Sequence, residues 1–363
     1  MSTTPQNVLV TGANGYLGLH VLRDCLAKGW TVVGAVRTIK AANRIRDIFP
    51  DASASERLVL VQISDIVNPS SLEPAFSTDR PITAVINLAS PLISNPSDIG
   101  QQVLDPAIHA ATAVLEAGRR YGGNTLRRIV HTSSCAAVLD PGRGDAPGYT
   151  YTSTDWNPTT YEEAATKGDP AIGYMASKAL SERAAWDWIR ANQGRITYDF
   201  TCIAPAGVLG PHYLGALVNK GETLDLSNLN LSSQMLWYLA DPNVGATPFN
   251  FFHLGCWVAA NDASAALAAA VVEPAAAGRR FICAQRCHWQ LVKDAVRAAV
   301  PELRERIDVG TPGATEVAWE TTYDVDGSEV SDVLGIKYTS LEDTMRDTFA
   351  QFLEAEKQSG KTW

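Results

Sequence analysis

The chain has 363 residues, 46% of them hydrophobic, with a formal net charge of −9 and a pI of about 5.2. This length and composition allow one large α/β domain with a second lobe, while the acidic balance argues against binding to nucleic acid or to an anionic membrane. No apolar run is long enough to span a bilayer and residues 1–7 do not resemble a signal peptide, so we expect a cytoplasmic protein whose six cysteines are free thiols.

A glycine-rich turn follows the first predicted strand, Asn7–Thr11. The turn has the spacing Gly-x-x-Gly-x-x-Gly, and a helix-like spacing of apolar residues begins within it. Strand, glycine turn and helix in this order form a binding site for the pyrophosphate of a dinucleotide, because the helix N-terminus presents N–H groups there. The alternative is an ordinary strand-to-helix connection. The predicted cofactor contacts in this turn are Gly12, Asn14, Gly15, Tyr16, Leu17 and Gly18.

The second predicted strand, Thr31–Val36, is followed by Arg37. An acidic residue at this place binds the 2′-hydroxyl of NAD, whereas an arginine accepts the 2′-phosphate of NADP. Arg37 is followed by Lys40 and Arg44, with no acid before Asp47. The sequence therefore predicts NADP(H) as the cofactor. At least one of Lys40 and Arg44 is expected to lie on a solvated helix face instead.

Strand-like and helix-like runs continue to alternate as far as Ala204. The further predicted strands are Leu58–Gln62, Ala84–Leu88, Arg128–Thr132 and Ile196–Ile203, and a helix is predicted between Val103 and Arg120. Such alternation is typical of an α/β fold in which helices cover both faces of a doubly wound parallel sheet, the Rossmann type.

Two serines, Ser133 and Ser134, follow the predicted strand Arg128–Thr132. In an open parallel sheet the carboxyl ends of the strands face the ligand crevice. A serine there can donate a hydrogen bond to the carbonyl oxygen of a substrate. Either hydroxyl is also compatible with a simple turn at the end of a strand.

Tyr174 and Lys178 are separated by one turn of the helix predicted over Tyr174–Arg190, so their side chains share a helix face. A phenol is a poor acid near neutral pH, and a neighbouring ammonium group favours its ionised form. The pair therefore suits a proton donor that acts in general acid catalysis. The spacing alone also occurs by chance in many helices.

Taken in order, these motifs resemble those of the extended short-chain dehydrogenase/reductases. In particular they resemble the branch that holds dihydroflavonol 4-reductase and the fungal NADPH-dependent methylglyoxal and aldehyde/ketone reductases. The matching segments are Thr11–Gly18, Arg37, Asn87–Pro91, Thr132–Val138, Asp155–Pro158, Tyr174–Lys178 with Ala184–Trp186, Pro205–Pro211 and Leu334–Ile336. The resemblance covers nearly the whole chain.

The resemblance implies roles for individual residues. Ser134, Tyr174 and Lys178 would form the catalytic set, and Lys178 and Tyr174 would also contact the cofactor. The resemblance adds Asp65 and Ile66 at the adenine, Leu88, Ala89 and Ser90 beside the cofactor, and Pro205, Ala206, Gly207 and Val208 at the nicotinamide. The family's second basic residue after Arg37 has no fixed match, since Lys40 and Arg44 flank its usual place.

We predict a cofactor domain over residues 1–205, with contributions from about 253–272. Residues 206–252 and 273–363 would form a substrate lobe that ends in an amphipathic helix over Ser340–Glu356. The segment Leu214–Phe252 is dense in apolar residues and is expected to wall a pocket for hydrophobic carbonyl compounds, although a plain core is the alternative for most of its side chains. We expect a monomer or homodimer.

Cys283, Cys287 and His288 lie close in sequence, but no second ligand pair matches them, so we predict no metal site. The predicted function is NADPH-dependent reduction of an aldehyde or ketone. One alternative is a nucleotide-sugar epimerase or dehydratase on the same fold, although no acid follows Ser134 to drive elimination. The other alternative is a non-enzymatic NADP-sensing regulator.

Overall fold

A computed structural model of the chain describes residues 6–91, 93, 96–241, 255–311 and 313–359. The strands in chain order are β1 (Asn7–Thr11), β2 (Thr31–Val36), β3 (Leu58–Gln62), β4 (Ala84–Asn87), β5 (Arg128–Thr132), β6 (Thr150–Tyr151), β7 (Asp199–Pro205), β8 (Gly207–Leu209), β9 (Cys256–Ala259), β10 (Arg280–Cys283), β11 (Gln285–Arg286) and β12 (Asp324–Val325). The α-helices are α1 (Tyr16–Ala27), α2 (Ile39–Ile48), α3 (Pro50–Ala54), α4 (Glu73–Phe76), α5 (Asp105–Tyr121), α6 (Tyr161–Lys167), α7 (Pro170–Ala191), α8 (Leu231–Ala240), α9 (Ala260–Val272), α10 (Trp289–Ala299), α11 (Ala314–Thr321), α12 (Ser328–Leu334) and α13 (Leu341–Ser359).

Seven parallel strands form the main sheet, in the order β10-β7-β5-β4-β1-β2-β3. In β1, which lies between β4 and β2, Leu9 is opposite Val33 of β2 and Val85 of β4. Val8 and Val10 pack into the core on the α1 and α9 side, whereas Leu9 packs into the core on the α5 and α7 side. Burial on both faces explains the continuous apolar run of β1. The predicted doubly wound α/β fold is confirmed.

Several element boundaries differ from the sequence-based expectation. Helix α7 begins at Pro170 rather than Tyr174, because the carboxylate of Asp169 accepts hydrogen bonds from the first-turn N–H groups of Ala171 and Ile172. The helix predicted from Val103 is α-helical only from Asp105, after a π-helical turn over Gly100–Leu104. Pro106 lacks an N–H and crowds the carbonyl four residues earlier, which accounts for the looser turn.

Strand β10 is an edge strand that the sequence pattern did not predict. It pairs with β7, so that Arg280 lies opposite Cys202, and it comes from a segment that we assigned to the substrate lobe. It lies beyond Ala204, where the predicted alternation of strand-like and helix-like runs ends. Strand β7 itself covers Asp199–Pro205, three residues later than the predicted start.

The second lobe contains the small sheet β11-β9-β8 and the helices α8, α10 and α13. Its core includes Leu236, Val292, Phe349 and Phe352. The part of the predicted pocket wall over residues 242–252 lies outside the described residues. Within the described ranges, no helix has both the length and the apolar character needed to cross a membrane.

All six cysteines are free, and all six are also buried, which the sequence did not predict. Cys283 lies in β10, whereas Cys287 packs in the lobe core. No group of three or more potential metal ligands comes together among the residues that the structure describes.

Candidate active site

The carboxyl ends of β1 and β4 are joined by one side chain, Thr11. Its hydroxyl donates a 2.6 Å hydrogen bond to Oδ1 of Asn87. The hydroxyl oxygen of Thr11 in turn accepts hydrogen bonds from the backbone N–H groups of Leu88 and Ala89, both at 3.1 Å. These bonds bring Leu88 and Ala89 beside the glycine turn, where the sequence predicted that they pass the cofactor.

The glycine turn is tightly packed and its helix end is open. Gly12 has a φ of +66°, which favours glycine. A Cβ on Gly18 would lie 2.4 Å from the carbonyl oxygen of Gly12, so no side chain fits there. Gly15 is the N-cap of α1 and offers no side-chain cap, which leaves the first N–H groups of the helix available to an anion. Asn14 and Gly15 are exposed at this end.

Tyr16 has a role that the sequence did not reveal. Its hydroxyl donates a 2.8 Å hydrogen bond to the carbonyl of Gly210, and its ring lies 4.8 Å from that of His212. Burial raises the pKa of Tyr16 well above the ordinary range. The side chain therefore fastens the glycine turn to the start of the second lobe. Leu17 packs against the core.

Arg37 is exposed directly after β2, and its carbonyl accepts a 3.1 Å hydrogen bond from the side chain of Gln62 at the end of β3. Asp65 is also exposed beyond β3, and its carboxylate accepts a 3.1 Å hydrogen bond from the N–H of Val67. Ile66 packs partly against the core. The predicted ribose and adenine residues therefore lie beyond the ends of neighbouring strands.

The two further basic residues on α2 differ in their surroundings. Both Lys40 and Arg44 are exposed, and Arg44 forms a 2.8 Å ion pair with Glu222. Tyr213 also stacks on Phe49, with 5.2 Å between ring centroids. Glu222 belongs to the predicted pocket wall and Tyr213 immediately precedes it, so this part of the chain packs against α2 and the residue that follows α2.

The structure distinguishes the two serines after β5. The hydroxyl of Ser133 is buried and donates a 2.6 Å hydrogen bond to Glu182 on α7. Ser134 is half-buried at the start of a 3₁₀ turn over Cys135–Ala137, where its Oγ accepts a 3.1 Å hydrogen bond from the N–H of Ala136. The Ser134 hydroxyl hydrogen is thus not used by that bond and can be donated to a ligand.

Tyr174 and Lys178 lie on α7, which packs against the 3₁₀ turn after Ser134. Both side chains are half-buried, and Nζ of Lys178 lies 5.8 Å from the centroid of the Tyr174 ring. Helix packing thus brings this pair to the strand end that carries Ser134.

Residues 205–208 leave the neighbouring strand β7. Pro205 and Ala206 are buried, and the N–H of Ala206 donates a 3.1 Å hydrogen bond to Cys283 of β10. Gly207 and Val208 are half-buried in β8. Ser90 is exposed beyond β4.

Sequence reasoning missed a buried polar line beneath the strand ends. The side-chain nitrogen of Asn87 lies 3.1 Å from Nδ1 of His131, so Thr11, Asn87 and His131 connect β1, β4 and β5. Burial lowers the pKa of His131 to about 4, which keeps its imidazole neutral near pH 7. The local signal in the sequence is a polar residue at or next to the end of β1, β4 and β5, which are neighbours in the sheet.

Residues 8–223 match the model of the NAD dependent epimerase/dehydratase family. The chain belongs to this family. The match spans more than half of the chain and includes the glycine turn, Arg37, Ser134, Tyr174 and Lys178. The predicted resemblance to the extended short-chain dehydrogenase/reductases is confirmed.

Relatives within this group match over almost their whole length. The NADPH-dependent methylglyoxal reductase GRE2 of Saccharomyces cerevisiae is 26% identical over 352 residues, which cover 96% of this chain and 99% of that protein. The ketoreductase azaE of Aspergillus niger is 28% identical over 358 residues, 98% of this chain and 99% of that protein. The crystal structure of yeast methylglyoxal/isovaleraldehyde reductase Gre2 complexed with NADPH superposes with a TM-score of 0.86 at 26% identity, covering 97% of this chain and 99% of that one.

Proposed function

We propose that this protein is an NADPH-dependent carbonyl reductase that converts an aldehyde or ketone to an alcohol. At a coarser level, it is an NADP(H)-dependent oxidoreductase of the extended short-chain dehydrogenase/reductase type, as its family and its relatives show. The finer assignment adds the substrate class and the residues that act on it.

The cofactor residues fit NADPH on two observations. The glycine turn has no room for side chains at Gly18, and the first N–H groups of α1 are left without a side-chain cap, as a pyrophosphate site requires. Arg37 then offers a guanidinium to the 2′-phosphate, with Lys40 or Arg44 as its assistant. We assign the pyrophosphate to residues 12–18, the adenine to Asp65 and Ile66, and the nicotinamide side to residues 88–90 and 205–208.

When bound, NADPH supplies the hydride that reduces the carbonyl carbon. Ser134 donates a hydrogen bond to the carbonyl oxygen and so polarises the C=O bond. Tyr174 transfers its phenolic proton to that oxygen as negative charge develops on it. The ammonium group of Lys178 stabilises the phenolate that remains, and it also holds the ribose next to the nicotinamide. The product is the alcohol, and Tyr174 regains a proton from solvent.

The contact that best supports this assignment is the hydrogen bond between Ser133 and Glu182, because it leaves Ser134 as the serine available to substrate. The same contact argues against the dehydratase alternative. Glu182, the carboxylate bound to this serine strand, is fully buried and paired with Arg280, so it does not offer a free base for elimination. Relatives named methylglyoxal reductase and ketoreductase further support carbonyl reduction.

The test is a screen of NADPH oxidation over short aldehydes, diketones, ketoesters, flavonoid-type ketones and nucleotide sugars. We expect turnover with aldehydes or ketones, faster with hydrophobic ones, and loss of that turnover in Ser134→Ala. Faster turnover of nucleotide sugars, or an undiminished rate in Ser134→Ala, would overturn the proposal.

A further inference from the structure

Glu182 is a fully buried carboxylate two helical turns beyond Tyr174 on α7. Its Oε2 accepts a 2.6 Å hydrogen bond from Ser133, the residue before Ser134, and its Oε1 accepts a 3.2 Å hydrogen bond from the indole of Trp186. Burial by itself raises the pKa of Glu182, but the opposite charge and hydrogen bonds of Arg280, with the bond from Ser133, outweigh burial and hold that pKa below its ordinary value. Glu182 therefore carries a negative charge inside the protein.

Arg280 of β10 is the partner of this charge. Its Nε and Nη2 donate to the two carboxylate oxygens of Glu182 at 2.7 and 3.1 Å. The remaining guanidinium hydrogens go to backbone carbonyls: Nη2 donates to Ala137 at 3.2 Å, and Nη1 donates to Ser153 at 3.1 Å and to Asp155. The indole of Trp156 lies 3.9 Å from the guanidinium carbon. The guanidinium group of Arg280 is thus held by one carboxylate, three backbone carbonyls and one indole ring.

The carbonyls that Arg280 binds belong to the turn after Ser134 and to the loop that covers this turn. Asn157 in that loop is fully buried, and its side chain donates a 3.0 Å hydrogen bond to the carbonyl of Ala136. The backbone N–H of Asn157 donates a second one, also 3.0 Å, to Ala137. The turn after Ser134 is therefore held by hydrogen bonds from Asn157 and from the side chain of Arg280.

We infer that Glu182 and Arg280 are positioning residues: they lock the Ser134 turn to the face of α7 that carries Tyr174 and Lys178, so that the oxygen-binding serine and the proton donor keep one fixed separation. Neither residue touches the substrate. The catalytic consequence rests on the proposed function, whereas the mechanical role of the pair does not. The carboxylate of Glu182 accepts a hydrogen bond from Ser133 at the start of the turn, and it also binds Arg280, which donates to Ala137 at the end of the turn. Both ends of the turn therefore depend on Glu182.

A matched control exists at the opposite end of the same sheet. Arg128 begins β5, is as buried as Arg280, and donates to both carboxylate oxygens of Asp199 at 2.5 and 2.9 Å. It also donates to the carbonyls of Ala270, at 2.7 Å, and Glu273. Arg280→Gln and Arg128→Gln therefore remove similarly buried guanidinium groups, although Asp199 is more exposed than Glu182. Only Arg280 reaches the turn after Ser134.

The first measurement is amide hydrogen exchange of the NADPH-bound protein, which does not depend on any substrate. We expect Arg280→Gln to speed exchange at residues 136–139 roughly tenfold or more, because charge-assisted hydrogen bonds that hold the turn are lost. Arg128→Gln should leave exchange at these residues unchanged. Unchanged exchange in Arg280→Gln, or equal acceleration in both variants, overturns the positioning role.

The second measurement uses a milder variant that keeps the ion pair. Ser133→Ala removes the hydroxyl that donates to Glu182 and also interacts with the Cys202 thiol, but it leaves the ion pair of Glu182 and Arg280 in place. Thr201→Val is its control, since Thr201 makes a similar buried bond, of 2.7 Å, to the carbonyl of Ala276. We expect kcat to fall roughly tenfold in Ser133→Ala with NADPH affinity and KM unchanged, a smaller loss than the about 10²–10³ of a lost oxyanion donor. The control should keep its kcat.

The two measurements separate the two ideas. Faster exchange in Arg280→Gln, with no carbonyl substrate turned over by the parent protein, would retain the positioning role and reject the proposed function. Normal turnover in both Ser133→Ala and Arg280→Gln would overturn the catalytic consequence of this positioning and leave the proposed function standing.

Discussion

Nζ of Lys178 lies 5.8 Å from the centroid of the Tyr174 ring, on the helix that packs against the Ser134 turn. The ammonium group is therefore close enough to stabilise negative charge that forms on the phenolic oxygen when the proposed proton donor gives up its proton. This positive charge is already beside the proposed proton donor before a substrate binds.

Tyr174→Phe should leave NADPH affinity nearly unchanged and lower kcat by about 10²–10⁴, because the hydroxyl acts only in the proton transfer. The measurements are NADPH titration by fluorescence and steady-state turnover with the best carbonyl substrate. Tyr161→Phe is the control, since the Tyr161 hydroxyl binds Asp105 at 3.0 Å on a neighbouring helix. A kcat within tenfold of the parent would remove Tyr174 from the role of proton donor.

Arg37→Asp should shift the preference from NADPH towards NADH. The loss of one charge-assisted contact to the 2′-phosphate is worth about 1.5–3 kcal/mol, so NADPH affinity should fall roughly tenfold or more. Arg46→Asp makes the same charge change at an exposed position later on α2 and should have little effect. If both variants bind NADPH as the parent does, the phosphate lies elsewhere, with Arg44 as the first candidate.

Gly18→Ala should destabilise the protein by about 1–3 kcal/mol, because its Cβ would overlap the carbonyl of Gly12. It should also weaken NADPH binding about tenfold by displacing the end of α1. Gly194→Ala provides a comparison, since Gly194 has a φ of +76° and open space around it. That variant should lose about 1–2 kcal/mol from strain alone and keep its NADPH affinity. Equal affinities in both variants would contradict the predicted pyrophosphate site.

Acid should unfold this protein partly through buried histidines. Burial lowers the pKa of His20 and His131 from 6.5 to about 4. Between pH 6.5 and 4 these histidines are protonated in the unfolded chain but neutral in the folded protein. The folded state therefore loses stability as the pH falls from 6.5 towards 4. The loss is about 3 kcal/mol or less for each histidine. Thermal unfolding of His20→Gln should depend less on pH across this window than that of exposed His109→Gln, and parallel pH profiles would refute the assignment.

The parts of the site that the sequence predicted are short-range motifs. The glycine turn, Arg37 and the Tyr174–Lys178 pair each depend on spacings of a few residues after a strand or along a helix, and such spacings can be read directly. Partners that are distant in sequence leave no such pattern. Arg280 binds Glu182 across 98 residues and Thr11 binds Asn87 across 76, so only the folded chain reveals them.

Position along the chain sets a similar limit on the fold. Strands β1 and β2 were predicted with correct bounds and the short β4 was also found, whereas β10 lies at an edge of the sheet and beyond the segment in which strand-like and helix-like runs alternate. Its place in the sheet is nevertheless what brings Arg280 to the Ser134 turn. The preference for Ser134 over Ser133 came from the family resemblance, because the two hydroxyls are adjacent and chemically identical. The contact of Ser133 with Glu182 adds a physical reason for it.

Because all six thiols are buried, the rate at which a reagent labels them measures how often the surrounding segments unfold. Burial raises the pKa of Cys283 to about 12 and that of Cys25, Cys202 and Cys287 well above the ordinary range, so little thiolate exists in the folded state. A thiol reagent can therefore label these positions only when the surrounding segment unfolds. Labelling at Cys25 reports on the cofactor half and labelling at Cys287 on the lobe. Saturating NADPH should slow the first, and the change in the second measures how far the two halves open as one unit.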